Sequence, residues 1–327
     1  MKKLQFIILL GCFSVVTAFA GGQSEERTTG ASQDLPELVQ VSYVRSPFNL
    51  PAILMKRRGT LSAAFEEVGV QVEYHEITSG AKQAQAMAAG SLDIGGVMNT
   101  TSVILARSGG NRLQIVAGFS RPDNMFAIMV KDPSITSLRD LAGKRVAGPK
   151  GTVLHQLLSA ALAAEGMDIQ QVDFLQMGLP QASTALLAGH IDAALLAGSL
   201  VIKAKQSGAR VLTTADGLVA PKLVIVARGD FAETYPELVD LYCRVHADSV
   251  SWMQSNLEEA LRIGAEEQGI SVAEARQLYE WTEFISTLDS EDVTTMRDDI
   301  AFLQAQELLQ KQIDPLSFIA EGAISAR

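Results

Sequence analysis

The sequence has little of what enzyme active sites are usually built from. Its 327 residues include four histidines, His75, His155, His190 and His246, and two cysteines. None of the GxSxG, HExxH, Walker-loop or GxGxxG patterns occurs, so no nucleophile–base set, zincin helix or nucleotide loop announces itself. Aromatic residues make up 6% and no basic run is present, which sets aside nucleic-acid binding. No metal-ligand spacing is found either, and neither a cofactor nor a metal is expected. Cys12 falls in the N-terminal leader, so its removal would leave Cys243 alone and exclude an intrachain disulfide. Cys243 sits among Leu241, Tyr242 and Val245 on a helical pattern, as a buried thiol would.

The N-terminus reads as a targeting segment. Lys2-Lys3 is followed by a largely apolar run from Leu4 to Phe19, and Ala18-Phe19-Ala20 has the small-x-small form of a cleavage site. Cleavage after Ala20 is expected, with residues 21–36 a flexible leader. Leu9-Leu10-Gly11-Cys12 resembles a lipobox and offers a lipid anchor at Cys12 as the alternative. Either route takes the protein out of the cytoplasm. The formal charge of −10, or −12 without Lys2 and Lys3, chiefly favours solubility.

What is present is an alternation of strands and helices. Residues 38–44 read as a strand that leads through Arg45-Ser46-Pro47-Phe48-Asn49 into a helix with Pro51 in its first turn. Val70–Ile77 is followed by Thr78-Ser79-Gly80 and an alanine-rich helix, and residues 92–97 by Asn99-Thr100-Thr101 and another helix. The order then recurs about a hundred residues later. Ala88-Ala89-Gly90-Ser91-Leu92-Asp93 matches Leu187-Ala188-Gly189-His190-Ile191-Asp192, and the loop Ser46–Asn49 pairs with Pro149–Thr152. Two strand-like runs, Met125–Val130 and Leu223–Ala227, fall where the chain would cross between two such units. The expectation is therefore α/β: two doubly wound βαβ lobes joined by a two-strand hinge, with extra C-terminal helices. Lobe I would comprise residues 37–124 and 226–327, and lobe II residues 125–225. In the C-terminal part, Thr234–Glu237, Ser271–Glu274 and Asp289–Asp292 each read as a helix start.

The corner Gly148-Pro149-Lys150-Gly151-Thr152 turns a strand into a helix bearing Leu154, Leu157, Leu158, Ala161 and Leu162. Free N–H groups at such a start suit an anion or an acceptor-rich ligand. Ligands of doubly wound sheets bind beyond the carboxyl ends of the strands. The candidate ligand-binding residues are accordingly Ser46, Phe48, Asn49, Ser79, Gly80, Asn99 and Thr100 from the first lobe. Lys150, Gly151, Thr152, His155 and Gly178 come from the second. His155, one turn into its helix, either contacts ligand or lies on the helix surface. The set is rich in hydroxyls, amides and bare backbone and poor in acids and bases, which suits holding a molecule better than transforming one. Asp93 and Asp192 read as a repeated structural corner away from the cleft.

Gly143–Thr152, together with Leu187–Ala194, resembles the solute-binding proteins of ABC importers of the nitrate/sulfonate/taurine type, a group that includes the pyrimidine-precursor-binding proteins. The resemblance runs from about Leu38 into the C-terminal helices and implies a periplasmic-binding-protein-like fold of type II. It implies a monomeric extracytoplasmic receptor, not an enzyme, that closes on a sulfonate-, taurine- or nitrate-like ligand and delivers it to a membrane permease. The alternatives are a binding protein for a thiamine pyrimidine precursor, stacked on Phe48 or Phe119, or a cytoplasmic-type biosynthetic enzyme of the same fold.

Overall fold

The computed structural model describes residues 34–325, apart from positions 47, 123, 306 and 310. The expected signal segment with its cleavage site and Cys12, and all of the expected leader except residues 34–36, lie outside the described residues.

In chain order the first unit is β1 (Leu38–Tyr43), α1 (Leu50–Arg57), α2 (Thr60–Glu66), β2 (Gln71–Glu76), α3 (Gly80–Ala88), β3 (Ile94–Asn99), α4 (Thr100–Ser108) and β4 (Leu113–Pro122). Next come β5 (Phe126–Val130), β6 (Arg145–Gly148), α5 (Val153–Ala164), β7 (Asp173–Gln176), α6 (Leu179–Leu187), β8 (Ala193–Ala197), α7 (Ser199–Gln206) and β9 (Arg210–Thr214). The chain ends with β10 (Leu223–Arg228), α8 (Gly229–Thr234), α9 (Pro236–Ser255), α10 (Leu257–Gln268), α11 (Val272–Glu280), β11 (Thr282–Phe284) and α12 (Ser290–Ala305).

These strands form two sheets, of order β11-β4-β10-β3-β1-β2 and β7-β6-β8-β5-β9. β1 pairs in parallel with β2 and β3, and β6 with β7 and β8. The repeat seen in the sequence is thus a repeat of topology. Each sheet runs second, first and third strand of its unit, then an antiparallel strand at a crossing, then the fourth. β10 supplies that strand in one sheet and β5 in the other. Leu223–Arg228 lies in the six-stranded sheet over its whole length.

The register repeats as well. Asp93 accepts from the Gln40 N–H at 2.8 Å while its own N–H donates to Gln40 O. Asp192 makes the same pair of bonds with Arg145, also at 2.8 Å. The two aspartates are structural corners, each tying the start of its third strand to its first.

Both faces of each sheet are covered. One apolar cluster joins Val39, Val41 and Tyr43 to α1, α2 and α9, and a second packs Met87, Val103 and Ile115 against Val293, Met296 and Ile300 of α12. Residues facing alternate sides of a strand thereby meet different helices. The C-terminal helices thus belong with the six-stranded sheet. Ser271 caps α11 as its sequence suggested, with Glu274 reaching back to the Ser271 N–H at 2.7 Å. Thr234 does not cap α9: it ends α8, and the N-cap position falls to Tyr235, which makes no side-chain cap. Proline fixes the first turn of α9 and supplies the entry that a capping hydroxyl would have given.

Candidate functional site

A cavity of about 480 Å3 lies between the carboxyl ends of the two sets of parallel strands. Its wall is built largely from helix starts. Asn49, Ser79, Asn99, Thr152 and Gly178 are the N-caps of α1, α3, α4, α5 and α6, and Ser199 is the first residue of α7. Six helix N-termini therefore face one space, three from each sheet. Each brings the positive end of a macrodipole, so the cavity favours negative charge.

Four of the six are uncapped by their own side chains. Ser79 and Asn99 do cap, accepting from Lys82 N and Ser102 N. Thr152 instead turns its hydroxyl back to donate to Pro149 O at 2.8 Å. Asn49 gives its amide to Val44 O at 2.7 Å and Ser46 O at 3.3 Å, pinning the loop before α1. Gly178 has no side chain to offer, and α7 has no side-chain cap. The N–H groups of α5 are thus left for a ligand.

Buried polar groups hold the corners in place. Gln83 is fully buried; it accepts from Ser42 Oγ at 2.8 Å and donates to Val97 O and Ile77 O, fixing the loops that carry Ser79 and Asn99. Gly80 is required because α3 and α4 begin in contact: a Cβ there would sit 2.9 Å from Ser102 Cβ and 3.0 Å from Asn99 Nδ2. Gly151 has φ of +70°, the left-handed turn that lets Thr152 start α5.

Of the expected ligand residues, Ser46, Asn49, Ser79, Gly80, Asn99, Thr152 and Gly178 line the cavity. Five do not. Phe48 is fully buried in the core, where its ring occupies space left by Gly264; a Cβ at that glycine would lie 3.1 Å from the ring. Phe119 is buried too and stacks on His246 at 5.2 Å, so neither ring is placed to stack on a ligand. Thr100 is buried with its N–H donated to Lys222 O. Lys150 is exposed, and the Gly151 carbonyl accepts from Ser102 Oγ at 3.1 Å. His155 is buried against Phe174, ring centroids 5.0 Å apart; burial, aided by the charge of Lys150, pushes its pKa down to about 4.

Most other residues of the wall carry no mark in the sequence pattern. Phe126, Leu179, Leu200 and Leu223 give the wall its apolar part, and Lys203, Glu267 and Gln268 add polar groups. Lys203 lies one turn after Ser199 on α7, while Val201, Ile202 and Ala204 are buried. That split could have been read from the sequence. The carboxylates in the wall are already engaged. Glu76 pairs with Arg45 at 3.0 Å, and Glu267 accepts from Tyr43 Oη at 2.8 Å and Arg57 Nη1 at 2.9 Å. Burial opposes the charge on Glu267, but the bonds from Arg57 and Tyr43 outweigh it and hold the carboxyl below its ordinary range. Lys203 makes no salt bridge among the described residues, although its charge acts on the nearby Glu274 carboxylate. Among the described residues, no cysteine or histidine lines the cavity.

The family described as NMT1/THI5 like matches residues 64–260. The chain belongs to this family. Among relatives, a protein of Bacillus subtilis (strain 168) named "Putative aliphatic sulfonates-binding protein" is 27% identical over 292 residues, 87% of each chain. The taurine-binding periplasmic protein of Escherichia coli (strain K12) is 31% identical over 188 residues, 56% of this chain and 58% of that one. In structure, the alkanesulfonate-binding protein SsuA from Xanthomonas axonopodis pv. citri bound to MOPS superposes with a TM-score of 0.79 at 20% identity, covering 87% of this chain and 98% of that one. The Escherichia coli periplasmic aliphatic sulphonate binding protein SsuA gives 0.73 at 21%, covering 88% and 99%. The expected two-sheet fold of the periplasmic-binding-protein type is thereby borne out for this member of the NMT1/THI5-like family.

Proposed function

We propose that this chain is the extracytoplasmic solute-binding protein of an ABC importer and that it captures a small organic anion, a sulfonate by preference. The observation that carries this is the convergence of six helix N-termini, three from each sheet, on a single cavity. An anion held by both sets favours the arrangement in which they face each other, so binding and closure are one equilibrium. The lobes are taken as residues 37–124 with the chain from Leu223 onward, and the segment between; β4–β5 and β9–β10 are the crossings about which they move. The apolar wall of Phe126, Leu179, Leu200 and Leu223 accepts the organic part of the ligand.

The wall supports binding over turnover. Among the described residues no histidine joins its hydroxyls in the wall, and its two carboxylates are held by Arg45, Arg57 and Tyr43. The relatives named for sulfonates and taurine favour the same class of ligand. The protein is secreted through the targeting segment ending at Ala20, works as a monomer, and passes its ligand to a membrane permease.

A thermal-shift series on the protein lacking residues 1–20 tests this reading, with ethanesulfonate, butanesulfonate, taurine, nitrate and a pyrimidine as probes. At about a hundred times its dissociation constant a ligand adds roughly 2.7 kcal/mol of stability, which raises Tm by several degrees. A rise with a sulfonate, and none with the pyrimidine, is the expected result. A rise confined to the pyrimidine would overturn the anion reading.

A further inference from the structure

One buried polar cluster joins the two halves behind the cavity. Gln156 lies on α5, one turn after Thr152, and its carboxamide is held from two sides. Its Oε1 accepts from Thr101 Oγ1 on α4 at 2.7 Å, and its Nε2 donates to Asp299 Oδ1 on α12 at 2.6 Å. Thr101, Gln156 and Asp299 are 1%, 5% and 8% exposed. α4 and α12 pack with the six-stranded sheet and α5 against β5 and β8 of the five-stranded one. Both bonds of the cluster therefore span the division between the lobes. Beside it, Ser102 Oγ donates across the same division to Gly151 O. These contacts fix α5 against α4, and thus Thr152 against Asn99, two of the N-caps in the cavity wall.

A second cavity, of about 400 Å3, borders this cluster. Gln156 and Ala160, residues 217–220 of the β9–β10 connection, and Thr295, Asp298, Asp299 and Phe302 line it. Asp299 already borders this space, so water reaches the rest of its carboxyl once Gln156 leaves it.

We propose that Gln156 is a positioning residue that clasps the lobes in their ligand-holding arrangement, and that Asp299 makes the clasp tighten on acidification. The inference rests on the closure reading given above. Separating the halves leaves a buried carboxamide and hydroxyl to find water in place of each other, so the clasp favours the closed form only while all three groups are docked.

The charge environment sets the sign. Gln156 from α5, Thr100 and Thr101 from α4, Lys222 just before β10, and Asp298 on the same helix surround Asp299. Residues 217–220 bring no charged side chain. Lys222 is itself buried and faces Asp292, Glu291 and Arg121; burial lowers its pKa, against the pull of Asp299 and Asp292. Arg121 is bound by Asp292 and Glu283. For Asp299, burial is the largest influence and lifts the carboxyl to about 6, although Gln156 and Lys222 pull it down. Once wetted, the group returns toward the ordinary range near 4. The clasped form then holds its proton more tightly than the open form. By linkage, closure gains as pH falls through about 6, and the gain is complete near 4. A two-unit difference makes ligand affinity about tenfold higher near pH 5 than near pH 7.5. A sulfonate stays anionic over that range, so the ligand contributes none of the change.

The test is small-angle X-ray scattering from the ligand-free protein near pH 5 and pH 7.5, beside calorimetric titration with butanesulfonate at both. Wild type should be more compact, and bind about tenfold tighter, at the lower pH. Asp299→Asn keeps an acceptor for Gln156 Nε2 but cannot titrate; it should lose the pH response in both measurements. Gln156→Ala should be expanded at both pH values. A pH response that survives in Asp299→Asn, or none in wild type, overturns the clasp. Scattering needs no ligand, so the expected scattering with no sulfonate binding would sink the ligand reading and leave the clasp standing. Binding with flat pH profiles would do the reverse.

Discussion

Replacing Thr152 with aspartate separates what the helix start does for the fold from what it does for the ligand. Thr152 is buried at the N-cap of α5 with its hydroxyl turned away to Pro149 O, so the first N–H groups of that helix are not capped by it. Aspartate is among the preferred N-caps, and its charge complements the dipole; the substitution should leave stability unchanged or raise it by about 0.5 kcal/mol. For the ligand the change is adverse twice over. The carboxylate takes up the N–H groups an anion would use, at a cost of about 1 kcal/mol. It also places a negative charge beside the bound head group. At about 5 Å and an effective dielectric of 20, the repulsion is roughly 3 kcal/mol. Together these predict at least a hundredfold loss of sulfonate affinity by calorimetry, with Tm within about 2 °C of wild type by differential scanning fluorimetry. Thr152→Ser should bind as wild type. Undiminished affinity with aspartate at 152 would show that the start of α5 takes no part in holding the anion.

Other changes probe separate parts of the argument. Lys203→Ala removes the wall cation that makes no salt bridge among the described residues; affinity should fall up to about tenfold, and its salt dependence should weaken. An unchanged salt profile would take Lys203 out of the ligand's field. Gly118→Ala puts a Cβ 2.8 Å from Thr287 O and from Ile285 Cδ1 inside the sheet, so the urea midpoint should drop by the equivalent of about 2 kcal/mol. His155 carries a pKa pushed down to about 4 by burial, against an unfolded value near 6.5. The unfolded chain therefore takes up a proton first, and stability present above pH 6.5 is lost as pH falls toward 4. His155→Leu should retain up to about 3 kcal/mol more of its neutral-pH stability at pH 4 than wild type does. Equal acid sensitivity in chemical denaturation would show that another group governs the loss.

The site was legible where it depends on corners. A strand ending in a short polar loop and a helix puts its cap residue at the mouth of the fold whatever lies elsewhere, and Asn49, Ser79, Asn99, Thr152 and Gly178 all follow from that rule. The repeat made the rule stronger, since Asn49 and Thr152 occupy the same place in each copy. What failed was the direction of individual side chains. Phe48 lies between Ser46 and Asn49 in the cavity loop yet turns into the core, because Gly264, more than two hundred residues away, leaves room for its ring. No local pattern contains that fact. Glu267 and Gln268 were missed for the same reason: they reach the cavity only because α10 docks on α1.

The same distinction explains why Gln156 and Asp299 stay silent in the sequence. A glutamine at the fourth position of a mostly apolar helix reads as a surface residue, and an aspartate on an acidic helix reads as solvated. Their meaning comes from a meeting of α4, α5 and α12, three helices drawn from both sheets and far apart in the chain. Burying a carboxylate beside a carboxamide costs stability unless both are hydrogen-bonded, and here each bond crosses the division between the lobes. Placed inside one lobe, such a cluster would only hold a core together. Placed between two, it makes the energy of closure depend on three side chains and one proton, while the cavity in front keeps its helix starts free for the anion.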